Sequence, residues 1–192
     1  MDQFKGGGST LHSAFEFGFN IHTLTYVLLI LVVASGMVGI YIYLTVPKKI
    51  GENANGQSLE EMIERIAAIN LECRETGAVL DDEVNRLIRR SAQKTQIGGN
   101  VWRQISGRYP GCESLTALQG ITERGEHLAG AEAEANRTVV RLLARKQDLL
   151  LRVRRHIRYC AIRDLWLYFH TPLSIALIAS LLAHIVAVFF YW

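Results

Sequence analysis

Two stretches without a single Asp, Glu, Lys or Arg limit what this chain can fold into. The first runs 24 residues from Thr23 to Val46, and the second runs 28 residues from Leu165 to Trp192, interrupted only by His170 and His184. About 20 apolar residues at a 1.5 Å rise cross the ~30 Å hydrocarbon layer of a bilayer, so each stretch reads as a transmembrane helix. The mean hydropathy of +0.14 averages these two stretches with a charged middle. A purely soluble domain is excluded on this reading. A cleaved signal peptide is disfavoured as well. The first stretch follows a polar opening, Met1 to Thr10, is too long for an h-region, and ends at Val46-Pro47-Lys48-Lys49 without a small-residue cleavage site.

Basic residues set the expected orientation. Lys48 and Lys49 follow the first stretch and Arg152, Arg154, Arg155, Arg158 and Arg163 precede the second, whereas Lys5 is the one basic residue on the outer flanks. The positive-inside rule then places the middle in the cytoplasm of a bacterial-type cell, with both termini periplasmic. The fold expected is all-α: a membrane protein whose two transmembrane helices form a hairpin with a helical cytoplasmic insert. Its segments are a non-cytoplasmic N-terminal stretch (1–19), transmembrane helix 1 (20–47), a cytoplasmic helical domain (48–163) and transmembrane helix 2 (164–192).

The insert is a solvated domain, with 17 basic against 15 acidic residues between Ile50 and Ile162. Ser58-Leu59-Glu60-Glu61 is a capping box, which starts a helix carrying Met62, Ile63, Ile66, Ile69 and Leu71 and ending near Thr76-Gly77. A second helix is expected from about Asp81 to Ala92, with acids at its start and Arg86, Arg89 and Arg90 toward its end. Ile97-Gly98-Gly99-Asn100 through Pro110-Gly111 reads as loop with one helical turn around Val101-Trp102. Its glycines follow no strand and form no P-loop. Helix resumes near Glu113, with an interruption between Gly120 and Gly130. It then runs from Ala131 without a breaker until Pro172, on an apolar stripe of Val139, Leu142, Leu143, Leu149, Leu150 and Val153. Net charge is +3 and no basic-aromatic motif stands out, so nucleic acid is not an expected partner. Cys73, Cys112 and Cys160 have no zinc spacing and read as free thiols of a reducing compartment.

An ionisable side chain inside a span is a functional hypothesis by default. His170 and His184 lie fourteen residues apart, about 21 Å of rise and almost four full turns, so both fall on nearly one helix face at opposite depths. That is the arrangement one helix needs to ligate two haem irons stacked across a bilayer. Bis-imidazole iron has no open position and favours electron transfer over oxygen chemistry. The competing readings are an interfacial histidine beside Thr171-Pro172 for His170, and an interhelical hydrogen bond for His184. On the first span's outer approach His12 and His22 are further candidate ligands at the depth of His184, with Phe15, Phe17 and Phe19 as flanking rings; His22 is equally an interfacial residue. His127 and His156 read as solvent-facing. Ser35, Gly36 and Gly39, with Ala176, Ala179, Ser180, Ala183 and Ala187, permit close helix packing or the approach of a planar cofactor. Tyr41, Tyr43, Trp166, Tyr168, Tyr191 and Trp192 read as an aromatic belt.

Three runs together suggest a family: His12-Ser13-Ala14-Phe15-Glu16-Phe17-Gly18-Phe19-Asn20-Ile21-His22-Thr23, Ser35-Gly36-Met37-Val38-Gly39-Ile40-Tyr41 before Val46-Pro47, and Asp164 to His170 continuing to His184-Ile185-Val186. They resemble bacterial membrane cytochrome b proteins of the ferric-reductase-like or cytochrome b561-like kind. The resemblance covers both spans and touches the insert only at Ile97 to Arg103. It implies a four-helix core holding haem b between paired histidines. It also implies His12 and His184 as one pair near the non-cytoplasmic face. This chain departs from the family pattern in lacking two helices before His12, which leaves His170 without a mate. Other membrane subunits or a second copy would then supply the missing helices.

The function expected is a haem-b-associated subunit of an inner-membrane electron-transfer complex, embedded in the lipid bilayer and serving a redox partner protein. The alternative is a non-catalytic membrane anchor or assembly subunit that has lost the cofactor and docks partner proteins. A two-span sensor would need an output domain, and no motif of one is present. No nucleophile, paired carboxylate or metal cluster suggests independent catalysis.

Overall fold

The computed structural model describes residues 21–191, and every described element is helical. In chain order they are α1 (Ile21–Ala54), α2 (Leu59–Gly77), α3 (Asp82–Gln93), α4 (Val101–Ser106), α5 (Ser114–Arg124), a single 3-10 turn (Gly125–His127) and α6 (Gly130–Tyr191). The chain divides into two compact units, one formed by residues 21–42 and 165–191 and the other by Tyr43–Asp164.

The helical domain, Tyr43–Asp164, is built by amphipathic stripes closing on one another. α2 starts as its capping box requires: Ser58 Oγ accepts from the Glu61 amide at 3.1 Å, and Glu61 Oε2 accepts from the Ser58 amide at 3.0 Å. Removing such a cap costs about 1 kcal/mol. Met62, Ile66, Ile69 and Cys73 are buried on one face of α2, Val84 and Ile88 on α3, and Ala117 and Ile121 on α5. Against them α6 lays Val139, Leu143, Leu149, Leu150 and Val153, forming one apolar core. Val139, Leu143, Leu150 and Val153, spaced by four, seven and three residues, share one side of α6, with Leu149 at its border. The part of α1 within this unit is tied to α6 by Asn53 Nδ2, which donates to the Arg152 carbonyl at 2.7 Å, and by the Lys49 ammonium 5.9 Å from the Tyr159 ring.

Breakers act differently from their sequence reading in two places, at Pro47 and Gly120. α1 continues through Pro47 to Ala54, where Asn55 (φ +49°) and Gly56 (φ +81°) turn left-handed and end it. α6 also continues through Pro172, which the expected second span (164–192) already enclosed. A proline removes one helical hydrogen bond, and an already long helix with packed residues on both sides of it absorbs that loss. α5 also runs past Gly120 to Arg124, held by buried Ala117 and Ile121, so the interruption before α6 shrinks to the 3-10 turn and Leu128-Ala129. Exposed His127 matches its reading, whereas His156 is half-buried with its Nδ1 enclosed.

In the other unit, segments 21–42 and 165–191 run antiparallel, because Thr25 meets Ser180 while Ser35, further along α1, meets His170, earlier on α6. α1 and α6 are both long and apolar enough to cross a membrane. Their most apolar windows are only 11% and 6% buried, unlike the core helix of a soluble protein. Large apolar side chains point outward all round: Leu24, Tyr26, Val27, Ile30, Ile175, Ile178, Leu182 and Phe189 are exposed.

Candidate functional site

The polar groups of the apolar unit gather along the line where its two segments touch. Ser and Thr side chains facing a neighbouring helix satisfy one another where no water is at hand. Thr25 and Ser180 share a hydrogen bond between their hydroxyls, and Ser180 is buried. On either side of this contact lies one of the two histidines of the 165–191 segment, His170 and His184.

At one end the His184 ring meets His22 edge to face, with ring centroids 4.4 Å apart and planes at 81°. His184 Nδ1 is buried and has no hydrogen-bond partner. A buried imidazole nitrogen without a partner costs about 1–3 kcal/mol, so a ligand atom at this position would be stabilised by the site. His12, the other candidate at this depth, lies outside the described residues, as do Phe15, Phe17 and Phe19.

At the other end His170 is fully engaged by its surroundings. Its Nδ1 shares a hydrogen bond with Ser35 Oγ, its Nε2 lies 3.4 Å from Ser174 Oγ, and its ring stacks on Trp166 with centroids 4.9 Å apart. Trp166 Nε1 in turn donates to the Ser35 carbonyl at 2.9 Å. The indole lies so close over Gly39 that an added Cβ would fall 2.1 Å from Trp166 Cζ2. Of the small residues in the first span, Ser35 and Gly39 therefore serve helix packing. In the second span Ser180 does the same, whereas Ala176, Ala179 and Ala183 face outward.

Haem b, the group implied by the resemblance, meets two different environments. An iron about 2 Å from each of two imidazole nitrogens holds those nitrogens about 4 Å apart and the ring centroids farther still. The 4.4 Å His22–His184 contact is too close to enclose an iron and its macrocycle. His184 fits a ligand role through its unpartnered Nδ1, with a mate other than His22. His170 has both ring nitrogens against hydroxyls in this structure.

The helical domain holds a second cluster of ionisable groups, absent from the sequence reading. Lys146 is fully buried in the middle of the α6 stripe, and its Nζ donates to the Ser91 carbonyl at 2.8 Å and to Ser91 Oγ at 3.0 Å. Burial lowers its pKa from 10.5 to about 8. Nearby, Arg154 is held by two hydrogen bonds to the Gln96 carbonyl at 3.1 and 2.7 Å and lies 4.3 Å over the Tyr109 ring. Its Nη2 donates to Cys112 Sγ at 3.0 Å. Burial pushes the Cys112 thiol up, but hydrogen bonds from the Ser114 and Gln96 backbone and from Arg154 outweigh it and bring the pKa from 9.0 down to about 7. Buried Cys73 goes the other way, raised to about 11. The three cysteines are free, as their spacing suggested. One signal in the sequence pointed here: Lys146 falls in phase with Leu143, Leu150 and Val153, so a lysine occupies a core position.

No family model, curated protein or solved structure matches this chain.

Proposed function

We propose that the chain is a haem-b-associated subunit of an electron-transfer complex in a bacterial inner membrane. Its two apolar segments cross the bilayer as a hairpin, with the helical domain on the cytoplasmic side and both termini periplasmic. The observation that carries the reading is His184: a histidine in the most apolar part of α6 whose buried Nδ1 has no partner. His184 and His12 would hold the haem near the periplasmic face, and His22 would flank it. The haem would supply one-electron transfer through a six-coordinate iron, while the chain supplies the axial nitrogen and apolar surroundings that exclude water. His170 would serve a second haem only where another subunit or a second copy brings its mate and takes the place of Ser35 beside the ring. The partners on this reading are the bilayer, further membrane subunits and a redox protein.

The second reading, a membrane anchor or assembly subunit without cofactor, is favoured by one observation. At the His170 end the ring nitrogens and the glycine gap are already taken, by Ser35, Ser174 and the Trp166 indole over Gly39.

A reduced-minus-oxidised spectrum with a pyridine haemochrome count, on the full chain in detergent and in its native complex, separates the two. The haem reading predicts a b-type spectrum that is lost in His184→Ala and His12→Ala. A second haem would appear as a loss in His170→Ala confined to the native complex. Absence of haem from both preparations overturns this reading in favour of the anchor.

A further inference from the structure

The connection between α3 and α5 lies at one particular end of the helical domain. Ser91 meets Lys146 and the Gln96 carbonyl meets Arg154, so α3 advances in the same direction as α6. α5 goes back: Cys112, just before it, meets Arg154, while the Ile121 carbonyl near its end meets Asn136. Residues 94–113, with α4 among them, therefore turn at the end where α6 continues to Asp164, one residue before the second uncharged stretch. From Arg154 to Asp164 the helix rises about 15 Å. α4 is fixed by its caps: Asn100 Oδ1 accepts from the Arg103 amide at 3.0 Å, and Gly107 (φ +66°) ends it left-handed. So fixed, it holds Trp102 79% and Val101 50% exposed. Single exposed apolar side chains are common on soluble proteins, but the charge around this pair is one-sided. Residues 95–112 contain Arg103 and Arg108 and no acid. Neither arginine has a carboxylate partner among the described residues, and the same holds for Lys48, Lys49, Arg155 and Arg158 at this end of the domain. Of the acids near them, Glu113, Asp148 and Asp164 are paired with Lys94, Arg152 and Arg163, and Glu52 has no ion pair.

We propose that this end of the helical domain docks on an anionic lipid surface, with Trp102 and Val101 entering the headgroup layer and Arg103 and Arg108 meeting lipid phosphates. Tryptophan favours the boundary between headgroups and acyl chains, and lysine and arginine are drawn to a negatively charged leaflet. The occupant is lipid because the uncharged stretches start so near: Lys48 and Lys49 follow Val46 within three residues, and Arg158 precedes Leu165 by seven. A bilayer that holds those stretches brings its headgroups to this end of the domain. Docking rests on the reading of the apolar segments as membrane spans and is independent of whether they carry haem.

The test reconstitutes the full chain into phosphatidylcholine vesicles with and without about 25% phosphatidylglycerol, with plain or brominated acyl chains. Wild-type emission minus that of Trp102→Phe isolates Trp102, and this exposed position tolerates the exchange. The emission left in the variant, from Trp166 and Trp192, reads insertion of the apolar segments. Expected with phosphatidylglycerol is a blue-shifted Trp102 quenched by brominated lipid, with acrylamide quenching at least about threefold weaker than in phosphatidylcholine alone. Arg103→Gln combined with Arg108→Gln should cancel most of that protection. Equal acrylamide quenching of Trp102 in the two kinds of vesicle, while brominated lipid quenches Trp166 and Trp192, overturns the docking alone and returns the patch to a protein partner. Absence of quenching by brominated lipid from all three tryptophans overturns the membrane-span reading, and the docking with it.

Discussion

In the helical domain Met62, Ile69, Val139 and Leu150 are at most 1% exposed, whereas in the unit of residues 21–42 and 165–191 Phe189 and Phe190 are more than 80% exposed. The polar side of the comparison inverts as well. The domain turns its acids and most of its arginines outward, while the apolar unit turns Thr25, Ser35, Ser180 and His170 toward one another. On the reading of the apolar unit as membrane-spanning, the same alphabet is sorted in opposite directions because the two units face different solvents. In water the gain comes from hiding apolar surface; between lipid tails that gain vanishes, and satisfying polar groups and packing small residues decide the contacts. Each unit also has exceptions to its own rule, among them Lys146 buried among aliphatics in the domain and His184 Nδ1 left unpartnered in the apolar unit.

The largest effect that tests this contrast is a cavity in the domain core. Leu150→Ala should lower unfolding free energy by about 3 kcal/mol, as fully buried leucines do on truncation, with loss of the domain's cooperative melt by circular dichroism as the readout. A matched pair comes next. Ile178 and Leu71 are 59% and 60% exposed, so burial alone predicts the same response at both. If lipid covers the first and water the second, Ile178→Arg should cost about 3 kcal/mol of membrane insertion, measured by a glycosylation-mapping insertion assay. Leu71→Arg should change domain stability by less than about 0.5 kcal/mol. Equal tolerance at the two positions would break the comparison.

Gly39→Ala should cost about 1–3 kcal/mol, the usual range for overpacking, by forcing the Trp166 indole off the Ser35 carbonyl and off His170. Tryptophan fluorescence of the detergent-solubilised chain during thermal unfolding reads it. The gentlest effect is a pH slope. Folded Lys146 and Cys112 release their protons at about 8 and 7, below the ordinary 10.5 and 9.0. Between pH 7 and 9 the unfolded chain therefore binds more protons, and stability rises with pH by at most about 1.4 kcal/mol per unit for each proton. Above pH 9 the raised pKa of Cys73 opposes the rise. Lys146→Met should flatten the slope, and denaturant melts at pH 7, 8 and 9 check it.

The capping box at Ser58, the apolar stripes of α2 and α6, the acidic start of α3 and the two long apolar helices were all legible in the sequence. Each is a local property: a cap joins residues three apart, and a stripe or an uncharged run is a property of one helix. Breaker residues were less legible. Pro47 and Gly120 each carry a local penalty that the surrounding helix outweighs, so α1 and α5 run past them.

What the chain by itself determined was therefore which segments are helical, which are apolar enough for a bilayer, and which histidines sit in them. Pairings between segments were decided only by the tertiary structure. His22 with His184, Ser35 with His170, Gly39 under Trp166, Lys146 on Ser91 and Arg154 on Cys112 join residues between 42 and 162 positions apart. No periodicity encodes such a partner. A side chain's neighbour across two helices depends on where both helices start and how they are rotated, and those follow from burying the stripes and satisfying most polar groups at once.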